Sequence, residues 1–348
     1  MYFTDMARSG KYRNAIRVIC KNEGASMATP RVNTDYPVEL IAPDISPYRR
    51  GNVGVEFATT YDSGSPGPHV LISAIVHGNE LCGAIALDWL YRQNPRPVVG
   101  KLTLVFANAD AYALWNMADP TISRWVDEDL NRLWSDSILD GPRDSSELRR
   151  ARALRPIVAD VNLLLDIHSM QTNMPPLLLS GPLVKGRDLA RSVGMPALVV
   201  VDKGHAQGPR MRDYRSFSDP ANTNNALLVE TGQHWAKSSA DIAIEAAVRF
   251  LRVSGIFKEF APDIGTGITT TQRFVEVTQP VTITADRFTF AQPFTGGEVL
   301  AERGTLVGFD GDVPVVTPYK DCVLIMPTRR PWKGMTAVRF GRFVDVPQ

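Results

Sequence analysis

Between residues 70 and 253 the chain alternates short apolar runs with amphipathic stretches of helical period. That alternation narrows the possible folds more than any other feature. The apolar runs are residues 70–76, 102–107, 161–167, 197–201 and 226–229, and the helix-like stretches are 80–92, 146–158 and 238–253. A strand that is apolar on both faces must be covered on both faces, and the connecting helices supply that cover. The pattern therefore predicts an α/β domain: a mixed, mostly parallel sheet with helices on both faces.

The flanking segments read differently. Residues 1–50 carry Pro30, Pro37, Pro43 and Pro47 and read as an extended arm or an edge hairpin. Beyond Gly265 and Gly267, the Thr/Val-rich segments 274–277, 281–285, 298–300, 313–317 and 322–326 alternate between Gly, Pro and Asp turns. They predict a small C-terminal all-β domain.

Charge and cysteine usage exclude several functions. The 38 Lys+Arg against 37 Asp+Glu leave a formal net charge of +1, so neither nucleic acid nor an anionic membrane is an expected partner. The longest apolar runs are far below the ~20 residues of a membrane-spanning helix, and residues 1–10 contain no apolar signal core, so a soluble, cytoplasmic protein is expected. Cys20, Cys82 and Cys322 lie far apart and suggest neither a disulfide framework nor a cysteine zinc site.

The chemistry gathers where the apolar runs stop. Residues 70–76 lead into His77-Gly78-Asn79-Glu80; residues 161–167 carry Asp166 and lead into His168; residues 226–229 lead into Glu230; residues 102–107 end at Asn108 and Asp110. In open α/β sheets, ligands sit at the carboxyl ends of strands, so polar groups collecting there from separate strands are what an active site requires. His77 and Glu80, three apart at a strand–helix junction, can point into one space, and with His168 they form a His₂Glu set that suits Zn²⁺ and leaves a position open. Any one of these histidines alone reads more readily as a structural residue; it is the set that points to a metal. Asp166, two residues from His168, faces the same side of its strand and reads as a partner that orients the ligand or as a buried structural group. His69, His205 and His234 receive no ligand role.

Four segments carry a family resemblance: residues 75–80 (IVHGNE), 124–132 (RWVDEDLNR), 166–174 (DIHSMQTNM) and Glu230-Thr231-Gly232. Together they resemble the succinylglutamate desuccinylase/aspartoacylase family, within the zinc carboxypeptidase-like fold, over roughly residues 51–260. The resemblance implies one Zn²⁺ per chain held by His77, Glu80 and His168. It implies that Glu230 is the catalytic carboxylate, that Arg124 polarises the scissile carbonyl, and that Asn131 and Arg132 bind a substrate carboxylate. Taken without the family, Arg124 reads as a salt bridge to Asp127 or Glu128, and Arg132 as a partner of Asp129. One departure stands out. Aspartoacylase uses a further Arg shortly before its catalytic Glu, whereas residues 219–225 here contain none; the nearest are Arg210, Arg212 and Arg215.

The expected organisation is an arm (1–50), a zinc hydrolase catalytic domain (51–265) and a small β domain (266–348). The expected activity is a zinc-dependent amidohydrolase that removes an acyl group from an N-acyl amino acid or related small amine, in a possible homo-oligomer. A metallocarboxypeptidase and a non-catalytic binding protein of the same fold are the alternatives. No G-x-S-x-G elbow appears for a serine hydrolase, and the first strand leads into HGNE rather than a Gly-rich phosphate loop. Trp115, Trp125, Trp134 and Trp235 read as core more readily than as pocket walls. Cys82 reads as a small apolar packing residue, and residues 211–225 as either a lid or an inert surface loop.

Overall fold

A computed structural model describes residues 36–260 and 271–345. The glycines that divide the chain at 265 and 267, and most of the predicted arm, lie outside the described residues. The first half contains β1 (Ala58–Asp62), β2 (His69–Ala74), β3 (Lys101–Phe106), β4 (Leu163–Met170), β5 (Leu177–Leu179), β6 (Leu198–Val201) and β7 (Asn225–Gln233). The second half is β8 (Arg273–Thr282), β9 (Phe288–Phe290), β10 (Val299–Leu300), β11 (Leu306–Asp310), β12 (Val313–Val316), β13 (Cys322–Ile325) and β14 (Thr336–Val344).

One sheet runs in the order β1-β3-β2-β4-β7-β5-β6-β8-β14-β13-β10, and β12-β11-β9 form a second, three-stranded sheet. The core strands β3, β2, β4 and β7 are parallel, while β1 and β5 join antiparallel. The sheet is thus mixed around a parallel centre, with an all-β C-terminal region, as the sequence predicts. β8 pairs in parallel with β6, so that region continues the same hydrogen-bonded sheet.

The alternation of side chains along each strand sorts the residues onto two faces. Val70 and Ile72 of β2, Leu165 and Ile167 of β4, and Leu227 and Val229 of β7 pack with helices Leu81–Arg92, Val184–Val193 and Lys237–Val253. Leu71, Leu164 and Ala226 point the other way and pack against Leu148, Ala151, Leu154 and Val158 of helix Ser146–Asp160. Asp166 and His168 share the parity of Leu164, and Glu230 that of Ala226. The strand period therefore sends all three to the second face, beyond the end of its apolar core.

Of the predicted arm, residues 36–50 contain one short 3₁₀ turn, Ser46–Tyr48, and no strand. Leu40 and Ile45 are buried in the core, and Tyr48 stacks on Tyr91 with ring centroids 4.0 Å apart. Among the described residues, no helix is long and apolar enough to cross a membrane.

Candidate active site

The loop from β2 into helix Leu81–Arg92 carries the first two functional groups. Ile75 adopts φ 52°, turning the chain out of the strand. Gly78 follows where a Cβ would lie 2.4 Å from the Tyr112 amide nitrogen and 2.5 Å from the Ser123 carbonyl oxygen, so only glycine fits. Its N–H donates to the Arg124 carbonyl at 3.2 Å, tying the loop to a second one. Glu80 is the residue before the helix, yet its carboxylate makes no cap hydrogen bond. It is used elsewhere.

His77 Nδ1 lies 2.8 Å from Glu80 Oε1, and His168 Nδ1 lies 2.9 Å from Glu80 Oε2. Ligand atoms of the three buried groups lie within 4.8 Å of one another. The outer nitrogen of each ring faces another carboxylate: His77 Nε2 meets Asp129 at 2.9 Å, and His168 Nε2 meets Asp166 at 2.9 Å. Two imidazoles that turn one nitrogen inward and rest the other on a carboxylate form the arrangement that orients metal-ligating histidines. The residues present fit a metal ion with one open position.

Electrostatics support the same picture. Burial pushes the Glu80 carboxyl upward, but the His77 and His168 rings outweigh it and hold it well below the usual range. Burial disfavours charge on His168, yet Asp166 and Glu80 raise it well above an ordinary histidine. Asp129, also opposed by burial, is held well down by His77, Arg132 and Arg124. A cluster that keeps its carboxylates ionised in a buried site is prepared for a cation.

Glu230, opposite in β7, behaves differently. Its Oε2 is buried without a hydrogen-bond partner among the described residues. Burial, with help from the Glu80 charge and against His168, Arg124 and Arg339, pushes it up to about 8. A carboxyl with that environment exchanges a proton near neutral pH.

Arg124 contacts Asp129 at 3.3 Å and Glu80 at 3.7 Å, rather than the Asp127 or Glu128 pairing its local sequence allows. Asp127 and Glu128 turn away instead, with their backbone amides held by the Glu147 carboxylate. Arg132 does approach Asp129, at 3.6 Å, but its Nε is buried without a partner. The Met211 amide donates to Asn131 Oδ1 at 2.8 Å, leaving Asn131 Nδ2 3.2 Å from His168 Nε2.

His77, Glu80, Arg124, Asn131, Arg132, His168 and Glu230 line one cavity, shared with His205, His234, Met326, Thr328, Thr336 and Arg339. All eight residues singled out from the sequence thus gather at the second face, Asp166 from beneath His168. The arginines offered for the missing family position do not fill it. Arg210 is buried and forked onto Asp202 at 2.8 and 2.9 Å and onto Asp213 at 2.7 Å. Arg212 bonds Asp213, Ser180 and Ala226, and Arg215 is exposed against Asp136.

Sequence reasoning missed Arg339. It sits on β14, lines the cavity, and makes no side-chain hydrogen bond or ion pair among the described residues. The alternating segment that holds it, TAVRFGRFV, was a readable strand signal. Also missed were Asp129 as a histidine partner and the Ser169 hydroxyl, 2.8 Å from His234 Nδ1. Burial lowers His234 to about 3, so its ring stays neutral.

Residues 211–225 are no free flap in this arrangement. Met211, Tyr214 and Phe217 are core, and Lys185 Nζ donates to the carbonyls of Ser216, Asp219, Asn222 and Asn224. Trp134 and Trp235 are fully buried, as expected, and Cys82 packs beneath the site, accepting from Thr231 Oγ1 at 3.2 Å.

Comparison with known proteins adds to this geometry. The sequence model of the succinylglutamate desuccinylase/aspartoacylase catalytic domain matches residues 66–252. The chain is 31% identical over 133 residues to an N-acyl-aromatic-L-amino acid amidohydrolase (carboxylate-forming) of Xenopus laevis; the match covers 36% of this chain and 41% of that protein. The fold resembles succinylglutamate desuccinylase from Vibrio cholerae, with TM-score 0.63 and 16% identity over 84% of this chain and 87% of that one. It also resembles the product-bound ectoine utilization protein EutE from Ruegeria pomeroyi, with TM-score 0.56 and 17% identity over 82% and 89% of the two chains.

Proposed function

The chain belongs to the succinylglutamate desuccinylase/aspartoacylase family, and on that premise we propose that it is a zinc-dependent amidohydrolase cleaving the amide bond of a small N-acyl amino acid. The observation that carries this reading is the Glu80 carboxylate between two inward-facing histidine nitrogens, each ring braced by its own aspartate, with the unpartnered Glu230 nearby.

His77, Glu80 and His168 would hold the ion. Zn²⁺ bound there supplies Lewis acidity, polarising the scissile carbonyl and making water a competent nucleophile near neutral pH. Glu230 takes a proton from the attacking water and delivers it to the amide nitrogen as the C–N bond breaks, leaving a carboxylic acid and a free amine. Arg124 places fixed positive charge where oxyanion character develops. Arg132 offers a planar fork to the carboxylate of the amino-acid half, beside Asn131, and Arg339 adds a second cation to that end of the cavity. Asp129 and Asp166 fix the histidine rings.

The test is a panel of N-acyl amino acids and short peptides assayed with the zinc-loaded protein. Release of a carboxylic acid from N-acyl amino acids, with peptides untouched, supports the reading. Trimming of peptide C-termini would replace it with a carboxypeptidase, and zinc binding without any turnover with a binding protein.

A further inference from the structure

The cavity is lined by two histidines that the proposed mechanism does not use, and their surroundings differ. His205 feels chiefly Arg132, Arg339 and Arg210. His234 feels Glu80, Arg124, His77 and His168 instead, and it also borders a side recess with Arg124, Asn79 and Arg330. His234 is therefore the histidine that belongs with the groups assigned to the scissile bond.

The fold holds its ring in place. The His234 backbone N–H donates to the Met170 carbonyl at 2.9 Å, just past the end of β7. Nδ1 lies 2.8 Å from the Ser169 hydroxyl, and the Ser169 backbone N–H donates to Glu80 Oε2 at 3.3 Å. One residue thus ties the ring to the carboxylate that stands between His77 and His168. His234 and Ser169 are only 3% and 4% exposed, so water does not compete for the pair.

Hydrogen accounting sets the tautomer. A buried hydroxyl places its hydrogen on an acceptor. Ser169 Oγ has His234 Nδ1 in reach; its other neighbour is the Cys82 sulfur, a weak acceptor to which Thr231 Oγ1 already donates. With Nδ1 accepting from Ser169, the hydrogen of a neutral imidazole resides on Nε2. That nitrogen is buried without a hydrogen-bond partner among the described residues.

Every N-acyl amino acid brings one acceptor to this part of the cavity, the scissile carbonyl oxygen, whatever its acyl group. A donor aimed at that oxygen strengthens as negative charge develops on it, and a neutral ring does so without repelling Arg124. We infer that His234 is a second donor to the scissile carbonyl oxygen, beside Arg124, and that Ser169 is the positioning residue that keeps its hydrogen on Nε2. The inference rests on the hydrolase reading above.

Two readouts test it, one of them independent of turnover. In NMR spectra of protein labelled with heavy-nitrogen histidine, the His234 ring, assigned by its loss in His234→Gln, should carry its hydrogen on Nε2. Ser169→Ala should admit the other tautomer. Hydrogen on Nδ1 in the wild type overturns the inference. In turnover of an N-acyl amino acid, His234→Phe should lower kcat by about 10²–10³-fold, the usual loss for one oxyanion donor, with KM little changed. His234→Gln, which can return an N–H near the position of Nε2, should lose less.

Melting temperature and metal content are compared with wild type for each variant. Near-normal kcat in His234→Phe, or equal losses in the two variants, overturns the inference and leaves the ring to bond Asn79 Oδ1, an unpaired acceptor on the side recess. If no substrate turns over, the hydrolase reading fails by itself. In that case, or where a variant loses fold or metal, the wild-type spectrum decides. An Nε2–H signal moved by N-acetylglycine sustains the donor, and one left unmoved overturns it.

Discussion

Two buried charge clusters border the same cavity, and they are satisfied to different degrees. Around Arg210, the charges are paired internally: Asp202 takes both guanidinium prongs, and Asp213 takes Nε of Arg210 and a prong of Arg212, whose own Nε lacks a hydrogen bond among the described residues. Around Glu80, the groups are ionised and oriented, but they surround a space, and Glu230 beside them is left with an unpaired oxygen. Both clusters hold arginines and aspartates, and what marks the one around Glu80 in the sequence is its pair of histidines at strand ends. A closed network holds a fold together, and an open one is ready to act on something else.

The contrast is broken most directly at Glu230. Glu230→Gln should keep fold and metal content but lower turnover by about 10²–10⁴-fold, the usual range for losing a positioned acid–base group. Near-normal turnover would remove Glu230 from the chemistry. Arg210→Met should do the reverse: a destabilisation of about 3–5 kcal/mol, because Asp202 is left buried without its cation and Asp213 keeps only Arg212, with the metal stoichiometry of the folded protein unchanged. Denaturant unfolding and metal analysis on the same samples read both. A stable Arg210→Met protein would show that the closed network is not structural.

A smaller effect is expected at Asp129, which belongs to the open cluster without facing its centre. Asp129→Asn should weaken metal binding by about 10–100-fold, the usual cost of losing the group behind a ligating histidine. Metal titration decides it, and unchanged affinity would leave Asp129 as a partner of arginines only.

The smallest effect concerns pH. In the metal-free protein Glu230 is raised by burial from 4.5 to about 8, so between those values the folded chain holds a proton that the unfolded chain has released. Its contribution to stability is therefore full below the lower value and is lost as pH rises to the upper one, at up to about 1.4 kcal/mol per pH unit. Glu230→Gln cannot titrate. The wild-type melting temperature should fall relative to that variant across the window and run parallel above it. Parallel curves throughout would mean that the carboxyl is ionised in the fold.

Much of this was legible along the chain. His77, Glu80, His168 and Glu230 each follow or end an apolar run, and the period of a strand settles which side of the sheet they face. Helix Leu81–Arg92 and helix Lys237–Val253 begin within one residue of the predicted starts. β4 and β7 extend past their apolar runs to Met170 and Gln233, so His168 and Glu230 lie within strands rather than after them. Hydrogen bonding to a neighbouring strand continued where hydrophobicity stopped.

Other features could not be read locally. Arg339 and Arg330 belong to segments with no chemical motif, and only the pairing of β14 with β8 and β13 carries Arg339 to a cavity built more than 100 residues earlier. Arg210 and Arg339 look alike in sequence. One is neutralised by two aspartates brought by folding, and the other feels Asp202 and Glu230 from a distance but forms no ion pair among the described residues.

The sequence by itself determined the layered α/β architecture, the strand ends that bear the chemistry and the family, because those depend on residue order over a few turns of chain. The tertiary structure decided which charges are spent and which remain available. That depends on desolvation and on distances between residues far apart in the chain, where a few ångströms separate a closed salt bridge from a vacant donor.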